Sequence, residues 1–569
     1  MPVYDRVWTV LTGTFTAPAD TLNDRIEVLY TGGATVDAGD GDDTVYGNSG
    51  NDTLTGGGGN DWLIGGGGDD TLNSGDGNDH IHADDGVDTV DSGAGDDIVY
   101  SFGTGYDTIL TGTGNDIVHV LTASGSYVEA GDDNDKLYGF TGVDTFHGGA
   151  GIDEMWGGAG DDILNGDAGN DLIYADDGND TVHGGDGDDT IWSTGSGSDT
   201  LYGDAGADRI YIETVLGGTA RGGTENDTIY GGSGGDFIYG EDGDDTLIGG
   251  AGIDTLSGGI GNDRIFADEG ADTVNAGDGN DVITSTGTGY DQLYGEGGDD
   301  YIAILNTDGA YADGGAGNDT IDGSGLGDIL VGGDGSDRIY GNAGEDTIKP
   351  GLGVDYLYGG DGLDWIDYSD MSTAGVFVDL QARYARDSGG SMDYVIGFEN
   401  VRGSNLNDRI YGSSEDNQIE GRAGVDYIYG MGGNDSISGG SGSDRIIGGD
   451  GIDFLTGDAG SDRFYYTGTE TGGSDFILDF DALDGDGLYV RQGGFGSYTT
   501  LDTVDLFTGT GTSDDIFGAY TGQGFAYDTD TGNLYFDADG SGTGSEAMLI
   551  TTLVGRPALT VDDINVYTG

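Results

Sequence analysis

Gly57-Gly58-Gly59-Asn60-Asp61-Trp62-Leu63-Ile64 is a glycine turn, an aspartate and a three-residue strand with an apolar centre. The same Gly-x-Gly-x-Asp frame returns every nine residues, and Asp43, Asp52, Asp61, Asp70, Asp79, Asp88 and Asp97 form one unbroken run. Glycine supplies the positive φ angles that so tight a turn needs. A three-residue strand is too short to stand alone. The pattern therefore predicts short strands stacked in register, each pairing with copies above and below. The residue two after each Asp should point inward, and those one and three after it outward.

Composition narrows the possible functions. The 569 residues include 123 glycines, 107 Asp plus Glu and only 17 Lys plus Arg, for a formal net charge of −90. Collagen is excluded, because glycine has no three-residue period and there are only four prolines. A surface this negative is a poor partner for nucleic acid or anionic membranes. The absence of cysteine removes disulfide frameworks and thiolate zinc sites. No apolar run is long enough for a membrane-spanning helix. The start, Met1-Pro2-Val3-Tyr4-Asp5-Arg6-Val7-Trp8, does not read as a secretory signal peptide.

The nonapeptide resembles the repeats-in-toxin (RTX, hemolysin-type) motif Gly-Gly-x-Gly-x-Asp-x-apolar-x. The resemblance covers roughly residues 20–365 and 403–465. It implies an all-β fold, a right-handed parallel β-helix (β-roll) in which two nonapeptides make one coil and the turns stand in two rows. It also implies Ca²⁺ between successive turns, held by the Asp carboxylate and by carbonyls of the glycine turns. Ca²⁺ is a hard cation that takes six to eight oxygens. The carried-over metal positions begin with Asp43, Asp52, Asp61, Asp70, Asp79, Asp88, Asp97, Asp107 and Asp116. They continue with Asp135, Asp144, Asp153, Asp162, Asp171, Asp180, Asp189, Asp199 and Asp208. Next come Asp227, Asp236, Asp245, Asp254, Asp263, Asp272, Asp281, Asp291, Asp300, Asp319, Asp328, Asp337, Asp346, Asp355 and Asp364. The last are Asp408, Asp426, Asp435, Asp444, Asp453 and Asp462, with Asn417 filling one slot that should bind more weakly. Asp also favours turns without any ion, but a bare turn does not demand Asp at the same slot so often. One divalent cation per slot would cancel most of the net charge.

A second period lies above the first. Val28, Val120, Ile212 and Ile304 are spaced by 92 residues, and each opens a stretch that breaks the motif. The steps Asp97 to Asp107, Asp189 to Asp199 and Asp281 to Asp291 are ten residues, not nine. The next step skips an Asp, as from Asp116 to Asp135. This gives about four copies of a five-coil module, repeating every ~24 Å at a strand spacing of ~4.8 Å. Gene duplication explains the copies; a ruler-like array of contact sites is the functional reading.

The two faces differ in composition. Three residues after Asp, one face carries Tyr138, Trp156, Tyr174, Trp192, Tyr211 and Tyr230, and later Phe266. The other face carries Glu129, His147, Asn165, His183, Tyr202 and Arg221. Stacked aromatics stabilise a sheet. An exposed aromatic strip also suits a glycan or a second copy of the chain. Threonine is scattered along the turns, which argues against ice binding.

Residues 366–402 depart from the period and read as an interruption that keeps the β-helix going with larger coils. After residue 465, Asp475-Phe476-Ile477-Leu478-Asp479-Phe480, Leu534-Tyr535-Phe536-Asp537 and Ala547-Met548-Leu549-Ile550 alternate and predict antiparallel strands. The tail, including Thr529 to Gly540, resembles serralysin-type C-terminal domains. Asp562-Asp563-Ile564-Asn565-Val566-Tyr567, trailed by Thr568-Gly569, resembles an uncleaved type I secretion signal. The expected organisation is an N-terminal edge (1–19), a β-roll of super-repeats (20–365), the interruption (366–402), a second roll (403–465) and a cap with secretion domain (466–569).

Catalysis is not expected. His-Glu-x-x-His is absent, no Gly-x-Ser-x-Gly elbow follows a long strand and opens a helix, and Lys136 and Lys349 are the only lysines. His80 and His82 lack a third ligand. A polysaccharide lyase or epimerase is the remote enzymatic alternative. The sequence reading is a secreted Ca²⁺-binding protein that folds outside the cell as a surface-layer, matrix or filament component. Its partners are itself or a surface glycan, and the type I machinery during export. The alternative is an adhesin or glycan-binding module.

Overall fold

The computed structural model describes residues 5–18, 20–468, 471–491, 505–511, 513, 516, 524–537 and 547–567. Met1–Tyr4, Ala538–Gly540 and the trailing Thr568-Gly569 of the sequence reading lie outside them. The chain divides into two compact units, Met1–Gln292 and Leu293–Gly569.

In the first unit, strands of one sheet pair in parallel with strands one coil away. Trp62–Ile64 lies between Thr44–Tyr46 and His80–Ala83, with Leu63 level with Val45 and Ile81. The intervening strand Thr53–Gly58 belongs to the second sheet and lies between Thr35–Asp40 and Thr71–Asp76. Consecutive nonapeptides thus alternate between two sheets, as their length predicts. The central residue of each strand is the core: Leu54, Leu63, Leu72, Ile81, Val90 and Val99 are all fully buried. Glycine is required where coils meet. Gly57 has φ +117°, and a Cβ there would run into the Gly39 carbonyl of the coil beneath.

The second unit is built the same way. Arg338–Ala343 pairs in parallel with Thr320–Asp322 and Tyr356–Asp361. At the interruption the sheets continue across a longer gap. Tyr356–Asp361 pairs with Met392–Ile396, and Trp365–Asp367 with Asn400–Arg402, all in parallel. The inserted residues form an antiparallel excursion, Phe377–Asp379 against Tyr384–Arg386 against Met392–Ile396. Tyr368 is fully buried beneath it, its hydroxyl donating to Asp393 Oδ2 at 2.9 Å.

The tail corrects one expectation. Asp475–Ile477 is not antiparallel; it pairs in parallel with Phe454–Ala459, because Ile477 continues the inward column above Leu455. Gly487–Arg491 extends the other sheet in parallel from Arg463–Tyr466. Antiparallel pairing begins later, with Gly524–Asp528, Asn533–Asp537 and Met548–Leu553. Ile564–Tyr567, the segment like a secretion signal, pairs in parallel with Gly487–Arg491.

Candidate metal centres

The repeat aspartates do two things at once. Oδ1 accepts a backbone hydrogen bond from the slot one coil earlier, in most cases from another Asp: Asp43 to Asp61 at 2.7 Å, Asp61 to Asp79 at 2.7 Å, Asp153 to Asp171 at 2.8 Å, with Ala34, Ser126, Gly218 and Ala310 as the donors for Asp52, Asp144, Asp236 and Asp328. This ladder fixes each carboxylate side-on to the stack and buries it, with Asp61, Asp79 and Asp153 fully inaccessible. The second oxygen is left over. In the row of turns leading into the first sheet, Oδ2 of Asp43, Asp61, Asp79, Asp97, Asp116, Asp135, Asp153, Asp171, Asp189, Asp208, Asp227, Asp245 and Asp263 is buried without a hydrogen-bond donor. The other row of the first unit contributes Asp70, Asp88, Asp144, Asp162, Asp180, Asp254 and Asp272. In the second unit the same holds for Asp319, Asp337, Asp346, Asp355, Asp364, Asp426, Asp435, Asp444, Asp453 and Asp462.

A buried carboxylate oxygen without a donor is costly, so these atoms show where a cation fits. The surroundings are all oxygen. A Cβ placed on Gly157 would stand 2.8 Å from Asp162 Oδ2 and 2.9 Å from the Ala175 carbonyl of the next coil. A Cβ on Gly421 would likewise meet Asp426 Oδ2 at 2.8 Å and the Gly439 carbonyl at 2.5 Å. Glycine at that position keeps a small space open in which a carboxylate and a carbonyl from successive coils converge. Among the described residues no three His, Cys, Asp or Glu side chains gather around one point. Backbone carbonyls must therefore complete each site, which suits Ca²⁺ and not a nitrogen- or sulfur-seeking metal. His80 instead lies flat on Trp62, ring centroids 4.9 Å apart.

Electrostatics agree. Burial, and then the charges of neighbouring Asp residues, push Asp61, Asp135, Asp180, Asp189 and Asp227 up to about 8, against the pull of the backbone hydrogen bond each accepts. Asp88, Asp144 and Asp171 are pushed to about 7, and Asp153 and Asp162 to about 6, burial again being the leading cause. Without a counter-cation, the folded stack holds on to protons.

Other predicted positions are satisfied within the chain. Oδ2 of Asp107, Asp199 and Asp291 accepts from the hydroxyls of Ser101, Ser193 and Ser285, each at 2.5 Å. Oδ2 of Asp52, Asp236, Asp328 and Asp408 accepts from the backbone N–H of Asn48, Gly232, Ser324 and Ser404. Asn417 donates from Nδ2 to the Glu399 carbonyl of the coil before at 2.6 Å, and its Oδ1, which faces Gly412, accepts from the Ser413 N–H at 2.7 Å. Asp281, in the same row as Asp263, and Asp300, in the second unit, are both buried.

Sequence reasoning missed four acids that carry the ladder onward. Asp355 N–H donates to Asp393 Oδ1 (3.3 Å) and Asp364 N–H to Glu399 Oε2 (3.0 Å). Asp453 N–H donates to Asp475 Oδ1 (3.2 Å) and Asp462 N–H to Asp486 Oδ1 (2.9 Å). None follows a Gly-x-Gly turn. All four keep the acid-x-apolar triplet, with Val395, Val401, Ile477 and Leu488 inward, and that triplet was the available signal.

On the first sheet the predicted aromatic strip is a stack. Centroid separations from Tyr138 through Trp156, Tyr174, Trp192, Tyr211 and Tyr230 are 4.6, 5.5, 6.4, 3.9 and 4.8 Å, with planes within 15° of parallel. Below Tyr138 the stack runs on through His119 and Tyr100. Phe266 is separate, level with Ile248 and Thr284 on its two sides.

The family profile of the RTX calcium-binding nonapeptide repeat matches residues 31–63, 64–99, 103–120, 124–155, 156–191, 193–211, 221–256, 248–283, 285–303, 311–325, 322–357, 402–437 and 438–468. No curated protein matches the sequence. Among solved structures, the extracellular lipase LipA from Serratia marcescens aligns at 18% identity over 47% of this chain and 45% of its own length, with TM-score 0.15. A hyperactive, Ca²⁺-dependent, β-helical antifreeze protein from an Antarctic bacterium aligns at 19% identity over 61% of this chain and 84% of its own, TM-score 0.22. The AlgE6R3 subunit of the Azotobacter vinelandii mannuronan C5-epimerase aligns at 28% identity over 28% and 78%, TM-score 0.11. With its buried aspartate ladders and a profile match over more than half its length, the chain belongs to the RTX calcium-binding nonapeptide repeat family.

Proposed function

We propose that this protein is an extracellular structural component, exported by a type I route, that folds when it meets Ca²⁺ outside the cell and then assembles with copies of itself. The observation that carries the reading is the rows of buried carboxylate oxygens without donors. In a chain of net charge −90, such rows oppose folding until cations neutralise them, and binding free energy then becomes folding free energy. The mass of the chain is given over to this stack, and we read no catalytic role in it. The stacked ladder is the proposed contact surface, with Tyr138, Trp156, Tyr174, Trp192, Tyr211 and Tyr230 at its centre and Phe266 as an outlier. Its ring faces are covered by one another, so edges and hydroxyls are what remain to touch a partner. That geometry gives less support to a glycan-binding module, because sugars stack on ring faces.

The test is circular dichroism in chelator and in millimolar Ca²⁺, followed by negative-stain electron microscopy of the Ca²⁺ sample. Strand signal that appears only with Ca²⁺, and sheets or filaments of regular repeat, are expected. Strand structure that persists in chelator above pH 8 removes the folding mechanism. Dispersed single particles would move the assignment to an adhesin that awaits a ligand.

A further inference from the structure

The two rows of turns in the first unit are chemically unlike. In the row leading into the first sheet, each Asp from Asp43 to Asp263 has a buried Oδ2 without a hydrogen-bond donor, although Ser74, Ser92 and Thr111, five places before Asp79, Asp97 and Asp116, turn their hydroxyls to carbonyls of the next coil. In the other row Asp52 and Asp236 accept a backbone N–H on Oδ2, and Asp107, Asp199 and Asp291, spaced by 92 residues, accept a serine hydroxyl there. The last three are the slots whose step is ten residues. The extra residue sets a serine six places before the Asp. Ser101 stands level with Ala83 in the sheet, and Ser285 level with Ala267, so serine takes a position that alanine holds one coil earlier. Ser101, Ser193 and Ser285 are fully buried and turn their hydroxyls onto Oδ2. Oδ1 of the same three Asp residues still accepts the ladder hydrogen bond, at 2.8 to 2.9 Å. Both carboxylate oxygens are therefore satisfied by the chain, through short hydrogen bonds to a charged acceptor, which are the strong kind. One coil beyond Asp107 and Asp199, the same row holds Ser126 and Gly218, which have no carboxylate at all.

We propose that Asp107, Asp199 and Asp291 are serine-closed slots that take no Ca²⁺, so that their row of the first unit binds cations in short runs, interrupted once per 92-residue module. The inference rests on the Ca²⁺ reading above and refines it: a chain of identical motifs is not a chain of identical sites. The closed coils hold their turns without an ion.

Crystals of the full chain grown in Ca²⁺, measured for anomalous scattering, give the direct test. Peaks are expected beside Asp70, Asp162 and Asp254, whose Oδ2 faces Gly65, Gly157 and Gly249, and none beside Asp107, Asp199 and Asp291. A calcium peak at any of the closed slots overturns the proposal and leaves the Ca²⁺ reading standing. No peak in either row removes that reading itself. Two triple variants give the same answer in solution, by equilibrium dialysis with radioactive Ca²⁺. Asp70→Asn with Asp162→Asn and Asp254→Asn should lose about three ions per chain. Asp107→Asn with Asp199→Asn and Asp291→Asn should lose none, since Asn keeps an oxygen for the serine. Equal losses in the two triples contradict the proposal.

Discussion

Gly57 and Gly58 are neighbours in one turn and have different reasons to be glycine. Gly57 has φ +117° and lies over the Gly39 carbonyl of the coil beneath; Gly58 has no positive φ, and a Cβ there would find only Asp40 Oδ1 at 3.6 Å. Gly57→Ala should therefore cost at least about 1–2 kcal/mol from the left-handed backbone alone, with a displaced coil added. Gly58→Ala should be neutral, or stabilising by about 0.4–1 kcal/mol through the unfolded state. Urea unfolding of both variants in saturating Ca²⁺ separates them, and coincident midpoints would contradict the stacked-turn geometry. At this scale the repeat was legible because each residue meets a copy of itself one coil away. The Asp slot, the inward apolar residue and the glycine turn were all visible in a single nonapeptide. What Ser101 does was not visible. Its hydroxyl reaches Asp107 Oδ2 only because one extra residue reshapes the turn, and the ten-residue step announced a change there without naming the donor.

Strands show the same division between local and distant information. Register and sheet assignment followed from the period of nine, whereas the path through the interruption did not. Asp393 replaces the next repeat Asp 38 residues after Asp355, a distance set by an antiparallel excursion with no repeat of its own. The parallel Asp475–Ile477 was misread for a related reason: alternation marks a strand but does not say which way its neighbour runs. Packing on the first sheet leads to a prediction that belongs to this scale. Trp192 stacks on Tyr211 at 3.9 Å and on Tyr174 at 6.4 Å, and such pairs are worth about 0.5–1.5 kcal/mol each beyond area burial. Trp192→Ala should lower stability in Ca²⁺ by about 1–3 kcal/mol. Phe266→Ala, with Ile248 and Thr284 beside it in the sheet, should cost less. If thermal melts place Phe266→Ala at or below Trp192→Ala, ring stacking is not what stabilises this face.

For the molecule as a whole, charge decides when the fold exists. An Asp in an unfolded chain titrates near 3.9, whereas burial holds Asp153 at about 6, Asp88 at about 7 and Asp61 at about 8 in the metal-free stack. Between pH 4 and 8 the folded form thus binds more protons than the unfolded form, and its stability must fall as pH rises. The contribution of these groups is fully present below about pH 4 and is lost as pH climbs through 6 to 8. In chelator, acidification should bring back strand signal, with a midpoint between pH 6 and 8. In Ca²⁺ the direction reverses, because protons and cations compete for the same oxygens. The Ca²⁺ concentration needed for half-folding should then rise as pH drops through that window. Relief of general repulsion is a rival cause, since 107 acidic residues face only 17 Lys plus Arg. Exposed carboxylates, however, titrate near 4, and their repulsion is screened by salt. A chelator-state midpoint near 4 that vanishes in 1 M salt would assign the transition to the surface. A midpoint at 6 to 8 that survives salt assigns it to the buried ladder.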